Sequence, residues 1–553
     1  LTIIPASVSR FLTNRSIIWH SALALLAALL LILSYPPFEV SHLIWIALLP
    51  LLIVVGNGIS RRRAFLLGWL TGVVWIYFTD SWIAHSMVFF GNLATVAAYG
   101  VCLLFAMILA IFPGLFALGQ RQLVRTFGWI GFGAAPFIWV ASEWVRQFLT
   151  GVTWNSLGIA QVSNFRVARI AQLGGVYLVT AEIVAVTSVI ILATRIRHRT
   201  TGRVAVALGM VAFLLFFMPG AATPVNQIKG AAGALVTVVG LQPNLRPETA
   251  DDPGRQAEAL ERAISMTREA IERTPEKRAD LAIWAESPLA LFYDHDPVVR
   301  ARLENLARDT GSYLVLNTVA RDGTNYFNSI NVVPPANPEV GATSLPALKR
   351  YDKIRLVPFG EYVPYRHLLG RFVPAITGDF APGNEAVVNL LRLETRRAAL
   401  LTTDSSAVDP SIERTTNFVR LGGFICYEAA YPDLVRRFVK DGATLLVNLS
   451  NDGWFGNTAG ARQHLAHARM RAIENDRDIV RVTNSGISAL ITAEGAVIDQ
   501  LPQFISGSQF WQAQARRNIT TYVRYGDWFA ISAVILTILL IGAALVIERR
   551  RRA

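Results

Sequence analysis

The chain has 553 residues, 53% of them hydrophobic, and a mean hydropathy of +0.40, which is too apolar for a soluble enzyme of this length. Its net charge of +13 is outweighed by five arginine clusters: Arg10 and Arg15; Arg61 to Arg63; Arg121 and Arg125; Arg195, Arg197, Arg199 and Arg203; and Arg549 to Arg552. The basic balance therefore lies in the loops between apolar stretches and leaves no surplus for a nucleic-acid footprint.

Apolar stretches of roughly 17–25 residues are long enough to span a bilayer. Seven are expected first, at about 17–34, 41–57, 64–80, 93–117, 127–148, 170–194 and 203–219, and an eighth at about 527–547. The first does not read as a cleaved signal peptide, because no small-x-small site follows and Tyr35-Pro36-Pro37 leads into the next span. The connections 35–42 and 80–92 contain no Lys or Arg. The positive-inside rule then puts the N-terminus, the even-numbered loops and the C-terminus in the cytoplasm, and residues 220–526 outside. Within the fifth span Glu143 and Arg146 stand three apart, so they can pair on one helix face. Charges in a membrane are functional by default; both residues are candidate phospholipid headgroup contacts, with a structural ion pair as the alternative. Trp75, Trp82, Trp139, Trp144 and Trp154 read as interfacial anchors.

From about 230 to 520 the pattern changes to alternating strands and helices. Strands are expected at 234–240, 280–284, 312–318, 422–425, 444–449, 479–484 and 487–491, with helices at 254–273, 296–309 and 458–476. Residues 332–347, rich in Pro and Ala, read as a loop, and 401–416 as a polar insertion. This alternation predicts an α/β sandwich with functional groups at strand ends. The expected organisation is a membrane domain over 1–225, a catalytic domain over 226–522, and a final span with a basic tail over 523–553.

Three polar residues end or follow β-like apolar runs: Glu286 in Ile283-Trp284-Ala285-Glu286, Lys353 in Tyr351-Asp352-Lys353, and Cys426 in Gly422-Gly423-Phe424-Ile425-Cys426-Tyr427-Glu428. Taken alone, Cys426 reads equally as a buried strand cysteine, and Glu286 with Lys353 as a strand-end ion pair. Taken together they are the parts of a cysteine acyl-transfer site. The ammonium favours thiolate, and the carboxylate takes the thiol proton and returns it to the leaving group. Lys353 and the backbone N–H of Tyr427 are candidate donors to the oxyanion. The only other cysteine, Cys102, lies in the fourth apolar stretch and reads as a small buried hydrophobe. His464 and His467 lack zinc-site spacing to other ligands, and no metal or nucleotide cofactor is expected.

The order Glu, Lys, Cys with these flanks resembles the nitrilase (carbon–nitrogen hydrolase) superfamily. The apolar spans around the domain resemble its membrane-bound branch, the apolipoprotein N-acyltransferases. The motifs that carry the likeness are Leu356-Val357-Pro358-Phe359-Gly360-Glu361-Tyr362-Val363-Pro364, Ile425-Cys426-Tyr427-Glu428, Asn451-Asp452-Gly453-Trp454-Phe455-Gly456 and Arg471-Ala472-Ile473-Glu474. The resemblance implies an extracytoplasmic αββα sandwich on a polytopic helical domain of about eight spans, in a bacterial inner membrane. It implies Glu286 as general base, Lys353 as transition-state stabiliser and Cys426 as nucleophile. Glu361 and Glu428 would orient Lys353 and Cys426, and Tyr427 and Trp454 would support the site or contact substrate. The implied partners are a phospholipid acyl donor, a diacylglyceryl-apolipoprotein acceptor and membrane lipids, without nucleic acid, and the implied state is a monomer. The chain departs from the family at Ala285 and Ser287, where Pro and Thr are usual, and at Thr153, where Pro is common. A membrane-tethered amidohydrolase is the alternative activity, and a non-enzymatic scaffold a more distant one.

Overall fold

A computed structural model describes residues 6–195, 233–250, 252–335, 346–363, 379–393 and 418–553. The chain forms two units: Leu1–Ala222 with Asn457–Gln463 and Asp527–Ala553, and Thr223–Gly456 with His464–Gly526.

The first unit is helical. Ser16–Leu33, Thr95–Thr150, Val176–Ala193 and Trp528–Arg552 are long and apolar enough to cross a membrane, and Arg61–Asp80 with Ile83–Phe89 joins them as a pair bent by 51°. Thr95–Thr150 is not one straight rod, since 56 residues of helix would run about 84 Å. The chain turns at Gly128 (φ 65) into a 3₁₀ segment. A methyl at Gly131 would lie 2.7 Å from the Leu123 carbonyl group, so the segment backs onto the helix it has just left before Ala135–Thr150 begins. The expected span at 41–57 is a shorter, broken helix made of Ser41–Leu43, Ile44–Ala47 and Leu49–Gly56. Pro50, which lacks an N–H, sits in the first turn of the last piece. The expected span at 203–219 lies outside the described residues.

Small residues let helices approach closely in this unit. On Arg61–Asp80, a methyl at Gly68 would lie 2.5 Å from the Pro113 carbonyl oxygen, and one at Gly72 2.9 Å from the Pro113 ring. Glu548 accepts from Arg61 at 2.6 Å, Gln122 at 2.9 Å and Arg552 at 2.6 Å, with Arg125 at 3.5 Å, so three arginine clusters meet around one carboxylate. Trp75 and Trp139 are not interfacial anchors. Each is 1% exposed, and they pack against each other inside the bundle, where Phe116 meets Trp139 edge-on. Gln463 accepts the indole N–H groups of Trp82 and Trp154 and donates to the carbonyls of Thr79 and Pro36.

Among its described residues the second unit has twelve strands: β1 (Leu235–Gln242), β2 (Leu281–Trp284), β3 (Tyr313–Asp322), β4 (Asn325–Val333), β5 (Tyr351–Asp352), β6 (Val388–Arg392), β7 (Phe418–Ile425), β8 (Leu445–Ser450), β9 (Ile479–Thr483), β10 (Ser488–Ile491), β11 (Val497–Leu501) and β12 (Gly507–Gln514). They form two six-stranded sheets, ordered β12-β1-β2-β3-β4-β5 and β6-β7-β8-β9-β10-β11. Read in that order, each sheet pairs antiparallel, parallel, parallel, antiparallel, antiparallel. The two halves thus share a topology that no sequence repeat announces.

The central strands are buried on both faces, which is why they read as unbroken apolar runs rather than alternating ones. In β1, Val239 and Leu241 pack with Leu260 and Ala263 of the helix Pro253–Glu272, while Gly240 faces the other sheet, where an added methyl would meet Val482 at 2.9 Å. Helix, sheet, sheet, helix is therefore the layering. Asp252 and Asp296 cap the helices Pro253–Glu272 and Pro297–Thr310 by accepting from backbone N–H groups of the first turn. The short edge strands β5 and β6, with β4, β11 and β12, escape the sequence pattern, because their polar residues interrupt the apolar runs.

Candidate active site

Strand ends from both sheets deliver the site. Glu286 lies two residues past β2 and makes an isolated parallel bridge to Thr483 at the end of β9. Its Oε2 accepts from the Asn451 N–H, one residue past β8, at 3.0 Å. Its Oε1 accepts from Asn328 Nδ2 at 2.9 Å and lies 3.5 Å from Lys353 Nζ. Lys353 follows β5, is 1% exposed, and donates to Glu361 Oε1 at 2.9 Å. Glu361 also accepts from Asn328 Nδ2 at 2.8 Å and from the Val357 N–H at 2.9 Å. Lys353 is therefore held between two carboxylates, and Asn328 on β4 bridges the same pair. Asn317 on β3 donates to Asn328 Oδ1 at 2.7 Å, which turns the Asn328 amide so that its NH₂ faces the acids.

Cys426 comes immediately after β7, in the left-handed conformation at φ 49. For a residue with a β-carbon this costs about 1–3 kcal/mol, and such strain collects at functional sites. Glu428, fully buried in the turn Cys426–Ala430, compensates. Its carboxylate accepts from the Ile425 N–H at 2.7 Å, Tyr351 Oη at 2.7 Å, the Ile354 N–H at 2.7 Å and the Arg355 N–H at 3.0 Å. One side chain thus ties the Cys426 turn to the loop that carries Lys353. Tyr427 is half-buried in the same turn, edge-on to Tyr431.

The charges are arranged around a neutral thiol. Burial and the Glu286 carboxylate push the Cys426 thiol well above its ordinary range, and Lys353 only partly offsets them. The expected tilt toward thiolate is therefore reversed, because desolvation outweighs the ammonium. Burial pulls the Lys353 ammonium down, but Glu286 and then Glu361 more than restore it, so it stays protonated. The resting site thus sets an ammonium and a carboxylate beside an un-ionised thiol.

Behind Cys426 lies a second network. His464 Nε2 is 2.9 Å from the Cys426 carbonyl oxygen, and His464 Nδ1 is 2.9 Å from Asp452 Oδ1 and 3.1 Å from an Arg481 nitrogen. Arg481 donates to both Asp452 oxygens, and Ser450 Oγ to one of them. Arg481 and His464 hold the Asp452 carboxyl well below its usual range despite burial. His464, set aside in the sequence as no metal ligand, is thus a hydrogen-bonding residue, and Asn328, Asn317, Ser450 and Arg481 carried no signal of their own.

Trp454 lies half-buried in the turn after β8. Glu143 and Arg146 belong to the first unit, and they are not ion-paired. Glu143 instead accepts from Trp139 Nε1 at 2.8 Å, the Leu157 N–H at 2.9 Å and Thr180 Oγ1 at 3.0 Å. Arg146 donates to the Trp154 carbonyl at 2.6 Å. Neutral donors, Trp139 one turn earlier on the same helix and Leu157 and Thr180 from neighbouring segments, satisfy the acid in place of Arg146.

The sandwich, with Glu286, Lys353 and Cys426 at its strand ends, joined to apolar helices long enough to cross a bilayer, defines a membrane-bound protein of the carbon–nitrogen hydrolase superfamily. Residues 235–517 match the carbon–nitrogen hydrolase family and residues 27–189 the apolipoprotein N-acyltransferase N-terminal domain. An apolipoprotein N-acyltransferase of Geobacter metallireducens is 30% identical, covering 93% of this chain and 92% of its own. That of Pasteurella multocida is 26% identical, covering 96% of each, and that of Pseudomonas syringae 28%, covering 95% and 96%. Among solved structures, Saccharomyces cerevisiae Nit3 of the nitrilase superfamily covers 51% of this chain and 90% of its own at 15% identity, with a TM-score of 0.35. The chain belongs to the apolipoprotein N-acyltransferase family. It is an acyltransferase, and family membership favours lipoprotein N-acylation over the amidohydrolase alternative.

Proposed function

We propose that the protein acylates lipoproteins by a two-step exchange through a thioester on Cys426. In the first step Glu286 takes the thiol proton as sulfur attacks an ester carbonyl of a phospholipid. The oxyanion is met by the Lys353 ammonium and the Tyr427 N–H. The intermediate collapses with cleavage of the ester C–O bond, and Glu286 returns the proton to the departing lysophospholipid alkoxide. In the second step the α-amine of an N-terminal diacylglyceryl-cysteine attacks the thioester. Glu286 takes the amine proton, the C–S bond breaks, and the proton passes to sulfur, leaving an amide and the free thiol. Atoms and charge balance without a cofactor.

The observation that carries this reading is Lys353, buried between Glu286 and Glu361 and acting electrostatically on the Cys426 thiol beside Glu286. The same reading puts the catalytic unit outside the cytoplasmic membrane, supported by the clustering of Arg61, Arg125 and Arg552 around Glu548 at one end of the helical unit. Arg146, whose buried Nε has no partner, keeps a donor for the acyl donor's phosphate, and Trp454 lines the acyl path. Mass spectrometry after incubation with phospholipid alone tests the chemistry. One fatty-acyl adduct on Cys426 is expected, and it should disappear when a diacylated lipopeptide is added. Acyl transfer retained by Cys426→Ala, or an adduct on another residue, ends the proposal.

A further inference from the structure

We propose that His464 is a positioning residue that aims the Tyr427 N–H at the reacting carbonyl oxygen, through its hydrogen bond to the Cys426 carbonyl. This rests on the reading of Cys426 as nucleophile given above. In a trans peptide the C=O of one residue and the N–H of the next point in opposite directions in one plane. The Cys426 carbonyl and the Tyr427 N–H are the two ends of one such unit. Whatever holds the carbonyl therefore sets the direction of the N–H.

His464 holds it at 2.9 Å. A carbonyl only accepts, so the hydrogen is on Nε2. At the other end of the ring Nδ1 lies 2.9 Å from Asp452 Oδ1 and 3.1 Å from an Arg481 nitrogen, so the imidazole is held at both nitrogens. Arg481 is itself held by both Asp452 oxygens and by the Asn448 side chain. His464, Asp452 and Arg481 are each 0% exposed, so no water competes for these bonds. The chain Asp452, Arg481, His464, Cys426 carbonyl ends on the amide that stabilises the oxyanion. Hydrogen bonds in series polarise one another, so the carbonyl bond also makes the Tyr427 N–H a stronger donor. The network restrains the backbone as well. Cys426 sits at φ 49, and a firm grip on its carbonyl keeps the chain from relaxing out of that conformation.

The discriminating comparison uses two reactions of the same sulfur. Acylation by phospholipid builds an oxyanion, whereas alkylation by iodoacetamide displaces iodide at a saturated carbon and builds none. Losing an oxyanion donor costs roughly 10²–10³ in kcat, and misaiming one costs part of that. In His464→Leu the kcat for acylation is expected to fall about ten- to a hundred-fold, with KM for phospholipid unchanged. Alkylation of Cys426 stays within about two-fold of wild type. In His464→Gln, whose amide N–H reaches where Nε2 stood, most of the kcat returns. Rates are normalised to folded protein by melting curves. If His464→Leu does not fold, His464→Phe, which keeps a ring for Phe455 to meet edge-on, takes its place.

Unchanged kcat in the donor-less variant overturns the proposal. So does a parallel loss of alkylation, which would place the effect on the thiol, or equal activity of the Gln and Leu variants, which would make the role one of packing. Failure of the underlying reading looks different, as acyl transfer that survives Cys426→Ala.

Discussion

Glu286 has two opposing effects on Cys426. In the proposed mechanism it accepts the thiol proton as a base; as a negative charge beside the thiol it keeps that proton in place, because the thiol's burial and Glu286 together raise it. Removing the charge should therefore separate the two. Glu286→Gln is expected to lower acyl transfer by roughly 10²–10⁴, the usual worth of general acid–base help. It should also raise the iodoacetamide alkylation rate of Cys426 at pH 7, because Lys353 then acts on the thiol unopposed. In the wild type the thiol is raised, so its reactive thiolate accumulates only as pH climbs, and the alkylation profile should still be rising at pH 9. A wild-type plateau below pH 8, or slower alkylation in Glu286→Gln, contradicts this account. Glu286, Lys353 and Cys426 were legible in the sequence because each follows an apolar run that places it at a strand end. Asn328 was not, because its value lies in bridging Glu286 and Glu361, 42 and 33 positions away.

Among the elements, the contact between Arg61–Asp80 and Ile111–Phe127 depends most plainly on single atoms. Gly68 and Gly72, one turn apart, lie against Pro113 and Ala110, and a side chain at Gly68 would collide with backbone that cannot rotate away. Gly68→Val should lower stability by about 3 kcal/mol, the upper end of ordinary overpacking. This is readable as a lower melting temperature in detergent, with kcat per folded molecule unchanged. Gly100→Val is the control, since nothing lies within 4 Å of its missing methyl. Equal melting temperatures for the two variants would show that the helices do not need this approach. The central strands and the long helices were readable at this scale, because one apolar period describes each. The second expected span has nearly its expected bounds, but apolarity alone does not reveal the breaks between Ser41 and Gly56.

For the whole molecule, the arginine clusters make a prediction that no individual contact makes. If they mark the cytoplasmic side, Asn305→Cys, on the exposed face of a helix in the catalytic unit, is labelled in intact cells by a membrane-impermeant maleimide. Arg550→Cys is labelled only after permeabilisation. Both variants are made in a Cys102→Ala background, with unsubstituted protein as the control for Cys426. The reverse pattern would put the catalytic unit in the cytoplasm and remove the proposed lipid-anchored acceptor.

By itself the sequence determined that this is a membrane protein with an α/β catalytic segment, and it singled out the three strand-end residues that the structure brings together and to which the proposed chemistry is assigned. Those properties are written in local periods of hydrophobicity and in what stands at the end of each run, and burial of apolar surface enforces them wherever the run occurs. Tertiary structure alone decided which polar groups meet. Glu286 finds the Asn451 N–H 165 positions away, Glu428 finds Tyr351 77 positions away, and His464 finds the Cys426 carbonyl 38 positions away. A buried polar group must be paired, but nothing in its own neighbourhood names the partner. Strand order across the two sheets selects it, and the same selection leaves the Cys426 thiol raised beside a lysine that, from the sequence, was expected to favour thiolate.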